Sequence, residues 1–381
     1  MTIYLDNAAT SFPKAPGVAE AMADFLNHSA GNPGRSGHSL ALAAQRTVSS
    51  TRQLLASFFG VPDPSRIVFA LNATDAINTA LWGLLEAGDR VVTTGMEHNA
   101  VARPLHELAE RGVALEIVPC GRDGSLDLDD LARALAAGPT KLVAMTHASN
   151  VTGTILPARE AAALAHERGA LFLLDAAQTA GVLPIDVQVL GVDLLAFPGH
   201  KGLLGPTGTG GLYVAPEVRL WPSRQGGTGT RSEELRQPPE LPEGLEAGTV
   251  NTVGIAGLGA ALRYLNERGR ESIQRHEAAL TERLREGLRG IPGLRVYGPP
   301  DSQRQVATVS ITLGGWEPVD LGAVLDTSFG ICVRPGLHCA PLAHRTLGTY
   351  PQGTVRFSPG PFTTEEEIDA AVKALRTLAA A

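Results

Sequence analysis

The sequence contains four lysines in 381 residues, and Lys201 is the one whose position suggests a chemical role. It lies in the segment Pro198-Gly199-His200-Lys201, directly after a predicted strand at 193–197. Open α/β sheets bind ligands at the carboxyl ends of their strands, so this amine is a candidate nucleophile. An exposed loop lysine is the alternative, since most lysines are exposed. The other lysines lie in a turn, at the start of a strand and on the last helix: Lys14, Lys141 and Lys373.

Asp175 ends a predicted strand at 171–175 that is otherwise wholly apolar. An unpaired buried carboxylate is costly, so this side chain needs a partner. It could cap the next turn, or it could pair with a cationic ring nitrogen, as the acidic residue of pyridoxal phosphate enzymes does beside a Schiff-base lysine. Because 171–175 and 193–197 are predicted to be neighbouring strands, we expect Asp175 and Lys201 at the same edge of the sheet.

A polar turn, Asn72-Ala73-Thr74-Asp75, connects a predicted strand at 66–70 with a predicted helix at 76–85. Free N–H groups at a helix N-terminus bind anions, so a phosphate could be held at this turn. Thr74 or Asp75 could equally serve only as the helix cap. The glycine-rich segment 205–211 is not a dinucleotide site, because it precedes a strand and completes no G-x-G-x-x-G pattern.

Cys339 is the candidate thiol nucleophile. It lies in a Gly- and Pro-rich loop beside Arg334 and His338, and cationic neighbours stabilise a thiolate. Cys120 ends a predicted strand and Cys332 lies in one, so both are expected to be inert packing residues. Three cysteines with no C-x-x-C pair argue against a disulfide framework and against structural zinc, and they favour a reducing compartment.

Arg356 lies in a predicted strand at 354–357, where it alternates with apolar residues. An arginine in such a position is either a surface residue or a clamp for a carboxylate. Because the planar fork of a guanidinium matches the carboxylate of an amino acid, Arg356 is a candidate substrate-binding residue.

The composition excludes several classes of protein. The net charge is −7 and no basic cluster is present, so neither nucleic acid nor an anionic membrane is an expected partner. No apolar run approaches the roughly 18 residues that span a bilayer, and the N-terminus lacks the pattern of a signal peptide. We therefore expect a cytoplasmic protein with no membrane, nucleic-acid or metal partner.

Short apolar strands alternate with helical segments, which predicts an α/β fold with a mixed, mostly parallel sheet. Further strands are predicted at 90–94, 114–119, 141–146 and 210–214, the last antiparallel, and helices at 100–111, 128–137 and 157–168. The segment 226–248 is expected to be a long loop. The remaining elements are a helical region at 253–289 broken near Gly269, strands at 305–312 and 331–334, a helix at 319–328 and a last helix with a Thr364–Glu367 capping box.

We place a domain boundary near residue 255. Residues 15–255 would form a large domain that contains Lys201 and the parallel strands. Residues 256–381 would form a smaller C-terminal α+β domain that carries Cys339 and Arg356, with residues 1–14 packed nearby.

Taken together, these residues resemble the cysteine desulfurases, a family of class V aminotransferases among the fold-type I pyridoxal phosphate-dependent transferases. The similarity extends over essentially the whole chain, and the order and combination of its motifs are specific. The matching segments are Tyr4-Leu5-Asp6-Asn7-Ala8-Ala9-Thr10, Glu97-His98-Asn99, His147-Ala148-Ser149-Asn150-Val151-Thr152-Gly153, Asp175-Ala176-Ala177-Gln178, Gly199-His200-Lys201, Glu246-Ala247-Gly248-Thr249 and the loop from Arg334 to Cys339.

The resemblance implies a role for each of these residues, with pyridoxal 5'-phosphate as the cofactor. Lys201 would bind the cofactor covalently, Asp175 would hold its ring nitrogen protonated, and Cys339 would be the nucleophile. His98 would stack on the cofactor ring and take part in catalysis, and Gln178 would bond the phenolic oxygen. The phosphate would be bound by Thr74, His200 and the partner subunit's Thr249. Asn150 would contact both cofactor and substrate, and the substrate would also be bound by Asn7, Ala8, Arg334 and Arg356.

The implied reaction converts L-cysteine to L-alanine and leaves the sulfur as a persulfide on Cys339, for a small acceptor protein and for pathways such as iron–sulfur cluster assembly. The resemblance also implies a homodimer. The alternatives are a selenocysteine lyase acting on L-selenocysteine, another C–S lyase, an aminotransferase in which Cys339 is incidental, and a cofactor-binding protein without turnover.

The chain departs from the family pattern in two places. The short spacing between Cys339 and Arg356 resembles the SUF-type branch, yet Leu337-His338 stands where that branch has two histidines. Pro198 and the Asn72-Ala73-Thr74-Asp75 turn replace segments in which family members carry hydroxyl side chains near the phosphate.

Overall fold

A computed structural model describes residues 2–34 and 37–380. Its strands are β1 (Ile3–Tyr4), β2 (Ile67–Ala70), β3 (Arg90–Thr94), β4 (Ala114–Val118), β5 (Leu142–Thr146), β6 (Leu171–Asp175), β7 (Leu194–Pro198), β8 (Gly210–Val214), β9 (Leu294–Tyr297), β10 (Val309–Leu313), β11 (Ile331–Cys332), β12 (Arg334–Gly336) and β13 (Thr354–Phe357). Its α-helices are α1 (Val18–His28), α2 (Ser39–Phe58), α3 (Ala73–Leu84), α4 (Asn99–Glu110), α5 (Leu128–Ala136), α6 (Ala158–Glu167), α7 (Val187–Leu190), α8 (Thr252–Arg268), α9 (Arg270–Leu288), α10 (Pro318–Phe329), α11 (Pro341–Leu347) and α12 (Glu365–Ala379).

The larger sheet has seven strands in the order β2-β8-β7-β6-β5-β3-β4. The strands from β7 to β4 are parallel, whereas β8 runs antiparallel to both of its neighbours, so the predicted mixed and mostly parallel sheet is confirmed. Strands β5, β6 and β7 are buried along almost their whole length, which is why their sequences are nearly continuous apolar runs. All three end at the edge where polar side chains begin.

A smaller antiparallel sheet has the order β12-β13-β10-β9. The N-terminal strand β1 pairs in parallel with β11, which brings the start of the chain beside this smaller sheet. Within the smaller sheet, the register of β12 against β13 places Arg334 directly opposite Arg356. The smaller sheet therefore presents two arginines side by side.

The buried apolar side chains form two principal clusters. The larger cluster surrounds the seven-stranded sheet and includes α8, which packs against α1 and α2. The smaller cluster lies between the antiparallel sheet and helices α9, α10 and α12. Helix α9 contributes Ile273 to the first cluster and Leu284 to the second, so it connects the two. The domain boundary near residue 255 stays a prediction.

Several element boundaries differ from the sequence prediction. Helix α3 begins at Ala73, three residues early, because the Asn72 side chain accepts a hydrogen bond from the Asp75 amide and caps the helix. The predicted strand at 305–312 begins only at Val309, and the one at 331–334 divides into β11 and β12. Helices α1 and α2 were not among the predicted elements. The break at Gly269 and the Thr364–Glu367 capping box are confirmed.

Candidate active site

A cavity of about 260 Å³ opens at the carboxyl ends of β5, β6 and β7. Parallel strands of an open sheet bring their following loops together at this edge, so residues far apart in sequence meet there. Ten of the predicted site residues line the cavity: Ala8, Thr74, His98, Asn150, Asp175, Gln178, His200, Lys201, Arg334 and Arg356. Three of them do not, namely Asn7, Thr249 and Cys339.

Lys201 and Asp175 form the electrostatic centre of this cavity. Burial lowers the pKa of the Lys201 amine from 10.5 to about 8, although the nearby Asp175 carboxylate acts in the opposite direction. Burial also raises the pKa of Asp175, while a hydrogen bond from the Ala177 amide and the charge of Lys201 oppose this rise. One carboxylate oxygen accepts the Ala177 amide at 2.9 Å. The pair thus supplies an amine that is easily deprotonated beside a buried acid.

The N-terminus of α3 forms one wall of the cavity, with Asn72, Ala73 and Thr74 among the lining residues. The Asn72 side chain is the helix cap, so the expectation that Thr74 or Asp75 would be the cap is wrong. Thr74 lies in the first turn, where its hydroxyl forms no hydrogen bond with the described part of the chain. Free amides, the positive end of the helix and this hydroxyl together suit an anion such as a phosphate.

His98 caps helix α4 with its ring, because Nδ1 accepts a hydrogen bond from the Ala100 amide at 3.0 Å. Burial, followed by the charges of Lys201 and Arg334, lowers the pKa of His98 to about 4. The ring is therefore neutral at physiological pH, with Nδ1 as acceptor and Nε2 as the protonated nitrogen. A neutral ring fixed at a helix terminus presents a flat face to a ligand in the cavity.

Gln178 and His200 are oriented by the N-terminal segment of the chain. The Gln178 amide donates to the Ala8 carbonyl at 3.1 Å, and His200 Nδ1 lies 3.1 Å from the Thr10 hydroxyl. Burial, followed by the charge of Lys201, lowers the pKa of His200 to about 4, so this ring is also neutral. Residues 8–10 therefore complete the cavity from the side of the smaller sheet.

Arg356 is buried, with a side chain only 1% exposed, so the surface interpretation of this residue is wrong. It donates to the Asp6 carboxylate at 2.7 Å and to the Asn150 carbonyl at 2.9 Å. Its Nε–H has no hydrogen-bond partner within residues 2–34 and 37–380. Arg334 is its direct cross-strand neighbour, and like charges placed opposite each other destabilise a sheet. Two neighbouring arginines therefore line this part of the cavity, and Asp6 pairs with one of them.

Cys339 lies outside the cavity, in an exposed position on the loop between β12 and α11. Its Sγ is 3.8 Å from an Arg334 guanidinium nitrogen, and its carbonyl accepts the Asn99 amide at 2.7 Å. Cys339 and the preceding His338 have φ angles of 56° and 51°, in the left-handed region that non-glycine residues rarely occupy. By contrast, burial raises the pKa of Cys120 to about 12, which keeps that residue a thiol.

Two predicted residues lie in neighbouring cavities. Asn7 lines a small cavity of about 40 Å³ that Lys201 and Gln178 also line, and its amide donates to the Ser358 carbonyl. Thr249 lines a different cavity of about 100 Å³, together with Asp75 and Arg224. Neither side chain faces the main cavity within this protomer.

Sequence reasoning missed two polar residues near the cavity, Asp6 and Glu97. It also expected His338 to be a cation beside Cys339, whereas burial lowers the pKa of His338 well below its usual value and leaves the ring neutral. Asp6 pairs with Arg356, although 350 residues separate them. His338 is buried against the loop of Cys339, and Asn150 donates to its carbonyl at 2.7 Å. Glu97 is buried with one carboxylate oxygen unpaired, and burial raises its pKa to about 8. All three lie inside matching segments, but no local periodicity links them to their partners.

The donor set fits pyridoxal phosphate. The cavity offers an amine of lowered pKa, a buried carboxylate with one oxygen left without a hydrogen bond in the described chain, a neutral flat ring and a helix N-terminus. Lys201 would bind the aldehyde, Asp175 the ring nitrogen, and the start of α3 the phosphate. Each group is the one that this cofactor's chemistry requires at that place.

The fold is that of the class V aminotransferases. The family model of that name, "Aminotransferase class-V", matches residues 3–371, and the chain belongs to this family. A solved structure of a cysteine desulfurase from Thermococcus onnurineus superposes with a TM-score of 0.94 at 35% identity, covering 100% of this chain and 95% of that one. The fold-type I architecture expected from the sequence is therefore confirmed.

The sequence relatives narrow the assignment. A probable cysteine desulfurase of Methanothermobacter thermautotrophicus is 38% identical over 99% of this chain and 94% of its own length. A cysteine desulfurase of Pectobacterium atrosepticum is 37% identical over 98% of this chain and 92% of its own length. Within the class V aminotransferases, the chain is thus a member of the cysteine desulfurase family.

Proposed function

We propose that this protein is a pyridoxal phosphate-dependent cysteine desulfurase, which converts L-cysteine to L-alanine and captures the sulfur on Cys339. The observation that carries the proposal is the arrangement of Lys201 and Asp175 in one cavity whose wall also holds Arg334, with Cys339 3.8 Å from that arginine. A cofactor-binding amine, an acidic partner and a thiol beside a cation are the groups that the desulfuration of cysteine would use.

The chain's own groups would prepare the cofactor and move one proton. When bound, pyridoxal phosphate withdraws electrons from the substrate's Cα. Asp175 would keep the ring nitrogen charged, Gln178 would bond the phenolic oxygen and His98 would cover the ring face. Once displaced by the substrate amine, Lys201 would carry the Cα proton, and its lowered pKa suits it for both accepting and returning that proton.

Arg334 and Arg356 would orient the substrate. A cysteine carboxylate has two oxygens, and Arg334 and Arg356, which both line the cavity, would supply donors for both. Asn150 would bridge cofactor and substrate, and Asn7 and Ala8 would close the side of the site nearest the N-terminus. The charge of a carboxylate would also relieve the repulsion between the two arginines.

Cys339 would take the sulfur in a step that needs no external oxidant. The substrate's C–S bond breaks and an S–S bond to Cys339 forms, so that cysteine and one enzyme thiol become alanine and one enzyme persulfide. The methyl group of alanine gains its third hydrogen from a proton, and both thiol sulfurs remain on the enzyme. Arg334 lies beside Cys339 Sγ, where it would stabilise the thiolate that attacks.

The sulfur acceptor and the assembly are further parts of this proposal. The loop of Cys339 is short and leads directly into α11, so a small acceptor protein would have to approach the exposed thiol. The short spacing from Cys339 to Arg356 would place the protein with the SUF-type branch. A homodimer would bring the partner subunit's Thr249 to the phosphate. None of the helices within residues 2–34 and 37–380 is long and apolar enough to cross a membrane. We propose a cytoplasmic enzyme that supplies sulfur to pathways such as iron–sulfur cluster assembly.

An absorbance spectrum combined with product analysis tests the function. The purified protein is loaded with pyridoxal phosphate and given L-cysteine, and alanine and sulfide are measured in the presence of a reductant. We expect a visible cofactor band, equal amounts of alanine and sulfide, and loss of both products in Cys339→Ser. 3-Mercaptopyruvate in place of alanine would indicate transamination, and pyruvate with free sulfide would indicate another C–S lyase. Retained L-selenocysteine turnover in Cys339→Ser would indicate a selenocysteine lyase, and no cofactor band would refute the proposal.

A further inference from the structure

A continuous chain of buried polar groups lies beneath the loop of Cys339. His338 and His344 are 3% and 0% exposed, and His338 Nδ1 lies 3.1 Å from His344 Nε2. The other ring nitrogen of His338 is 2.8 Å from the Arg334 carbonyl. The other nitrogen of His344 is 2.7 Å from the Thr349 hydroxyl. These contacts link β12, the loop, α11 and the turn that follows it.

The donor and acceptor roles in this series of hydrogen bonds are fixed in one direction. The Arg334 carbonyl accepts, so Nε2 of His338 carries a proton. Burial lowers the pKa of His338 well below its usual value and that of His344 to about 4, so both rings are neutral. His338 Nδ1 is then an acceptor for the Nε2–H of His344, whose Nδ1 accepts the hydroxyl proton of Thr349. Every nitrogen has one partner of the complementary kind.

This series of hydrogen bonds ends at a residue whose side chain lies beside the thiol of Cys339. Arg334, whose carbonyl receives the last hydrogen bond, holds its guanidinium 3.8 Å from Cys339 Sγ. His338 and Cys339 are consecutive non-glycine residues with positive φ, a conformation that is strained for residues with side chains. The surroundings must therefore hold the backbone in place, and the His338 side chain is the buried anchor of this turn.

We propose that His344 is a positioning residue for the sulfur-transfer step. By donating to Nδ1 of His338, it fixes one tautomer and one orientation of that ring, and thereby the left-handed turn that directs Cys339 toward Arg334. The inference rests on the proposed function of Cys339, but the geometry that it describes exists without substrate. Neither histidine contacts the thiol, so the effect passes through the backbone.

Two amide substitutions separate this role from simple packing. His344→Gln keeps an N–H donor at the distance of Nε2, whereas His344→Asn retains a polar group only near Nδ1 and cannot reach His338. Thr349→Val removes the hydroxyl while preserving the side-chain shape. His276→Gln is the matched control, since His276 is a half-buried histidine bonded to the carbonyl of Thr363, away from the loop.

Hydrogen–deuterium exchange of the loop and steady-state kinetics of the cofactor-loaded enzyme give the two readouts. In His344→Asn we expect exchange of the amides at 334–341 to accelerate at least about fivefold and kcat for cysteine to fall about tenfold, with KM unchanged, because misplacement of a reacting group lowers the rate of the chemical step. His344→Gln and the control should remain within about threefold of the parent, and Thr349→Val should lie between the two amide variants.

Equal exchange in the Asn and Gln variants, or a loss that appears in KM and not in kcat, would overturn the inference. The exchange readout needs no turnover. If the unmodified protein fails to desulfurate cysteine, the proposed function fails while the exchange data still decide the role of His344.

Discussion

Glu277 provides a quantitative test of how this fold treats a buried charge. It lies on α9, is 6% exposed and lines the small cavity that Lys201 also borders. Its carboxylate accepts no hydrogen bond within the described chain, and burial raises its pKa from 4.5 to about 8. The neutral acid is therefore the form that the folded protein prefers at neutral pH.

The consequence for stability follows from proton linkage. Between pH 4.5 and about 8, the folded protein holds the Glu277 proton while the unfolded chain has released it, so the free energy of unfolding decreases as the pH rises. One such proton corresponds to about 1.4 kcal/mol per pH unit, or about 5 kcal/mol over the whole interval. The stabilisation relative to high pH is complete below pH 4.5 and lost above about pH 8.

The perturbation is Glu277→Gln, which keeps the shape of the neutral acid and cannot ionise. Urea titrations at each pH from 5 to 9 give the free energies of unfolding. At pH 5 the free energy of unfolding of the variant should be close to that of the parent. Between pH 5 and pH 9 the difference in favour of the variant should grow by about 4 kcal/mol. Glu282→Gln is the control, because Glu282 lies on the same helix with its side chain 40% exposed. A difference between parent and Glu277→Gln that stays constant from pH 5 to 9 would refute the reasoning.

Three further predictions concern the site. In Cys339→Ser the cofactor band should persist while alanine production from cysteine falls at least about 100-fold, because the nucleophile is lost; an active variant would show that another group takes the sulfur. The rate at which cofactor-free protein captures pyridoxal phosphate should rise about tenfold per pH unit up to about pH 8 and then level, since only the neutral Lys201 amine condenses; stopped-flow absorbance measures this rate, and a rise that continues beyond pH 10 contradicts it. Asp6→Asn should lower the free energy of unfolding by about 3 kcal/mol, because it leaves the buried Arg356 charge without its partner; an unchanged urea midpoint would argue against the pair.

The reacting side chains of the site can be identified from local sequence. Lys201 and Asp175 were identified because each follows a buried apolar strand, and the carboxyl ends of parallel strands share one edge of a sheet. The polar turn before α3 is recognisable as a helix N-terminus for the same local reason, although Asn72 is the cap rather than Thr74 or Asp75. Strand composition and turn chemistry depend on a few adjacent residues, so they are visible without a structure.

Arg356 shows where local reasoning stops. Alternation with apolar neighbours allowed either a surface or a buried position, and only the pairing of β13 with β12 and the arrival of Asp6 decide for burial. The same holds for the chain from Thr349 through His344 and His338 to Arg334, which requires α11 to pack beneath the loop. These contacts depend on how whole elements pack.

The sequence by itself determined the reacting groups, the alternation of strands and helices, and the family. Tertiary structure decided which charges are buried, which partner each one has, and that Cys339 lies outside the cavity beside Arg334. The physical reason is that backbone preferences act over a few residues, whereas burial and charge pairing arise only when distant segments exclude water together. Asp6 and Arg356, at opposite ends of the chain, illustrate this division.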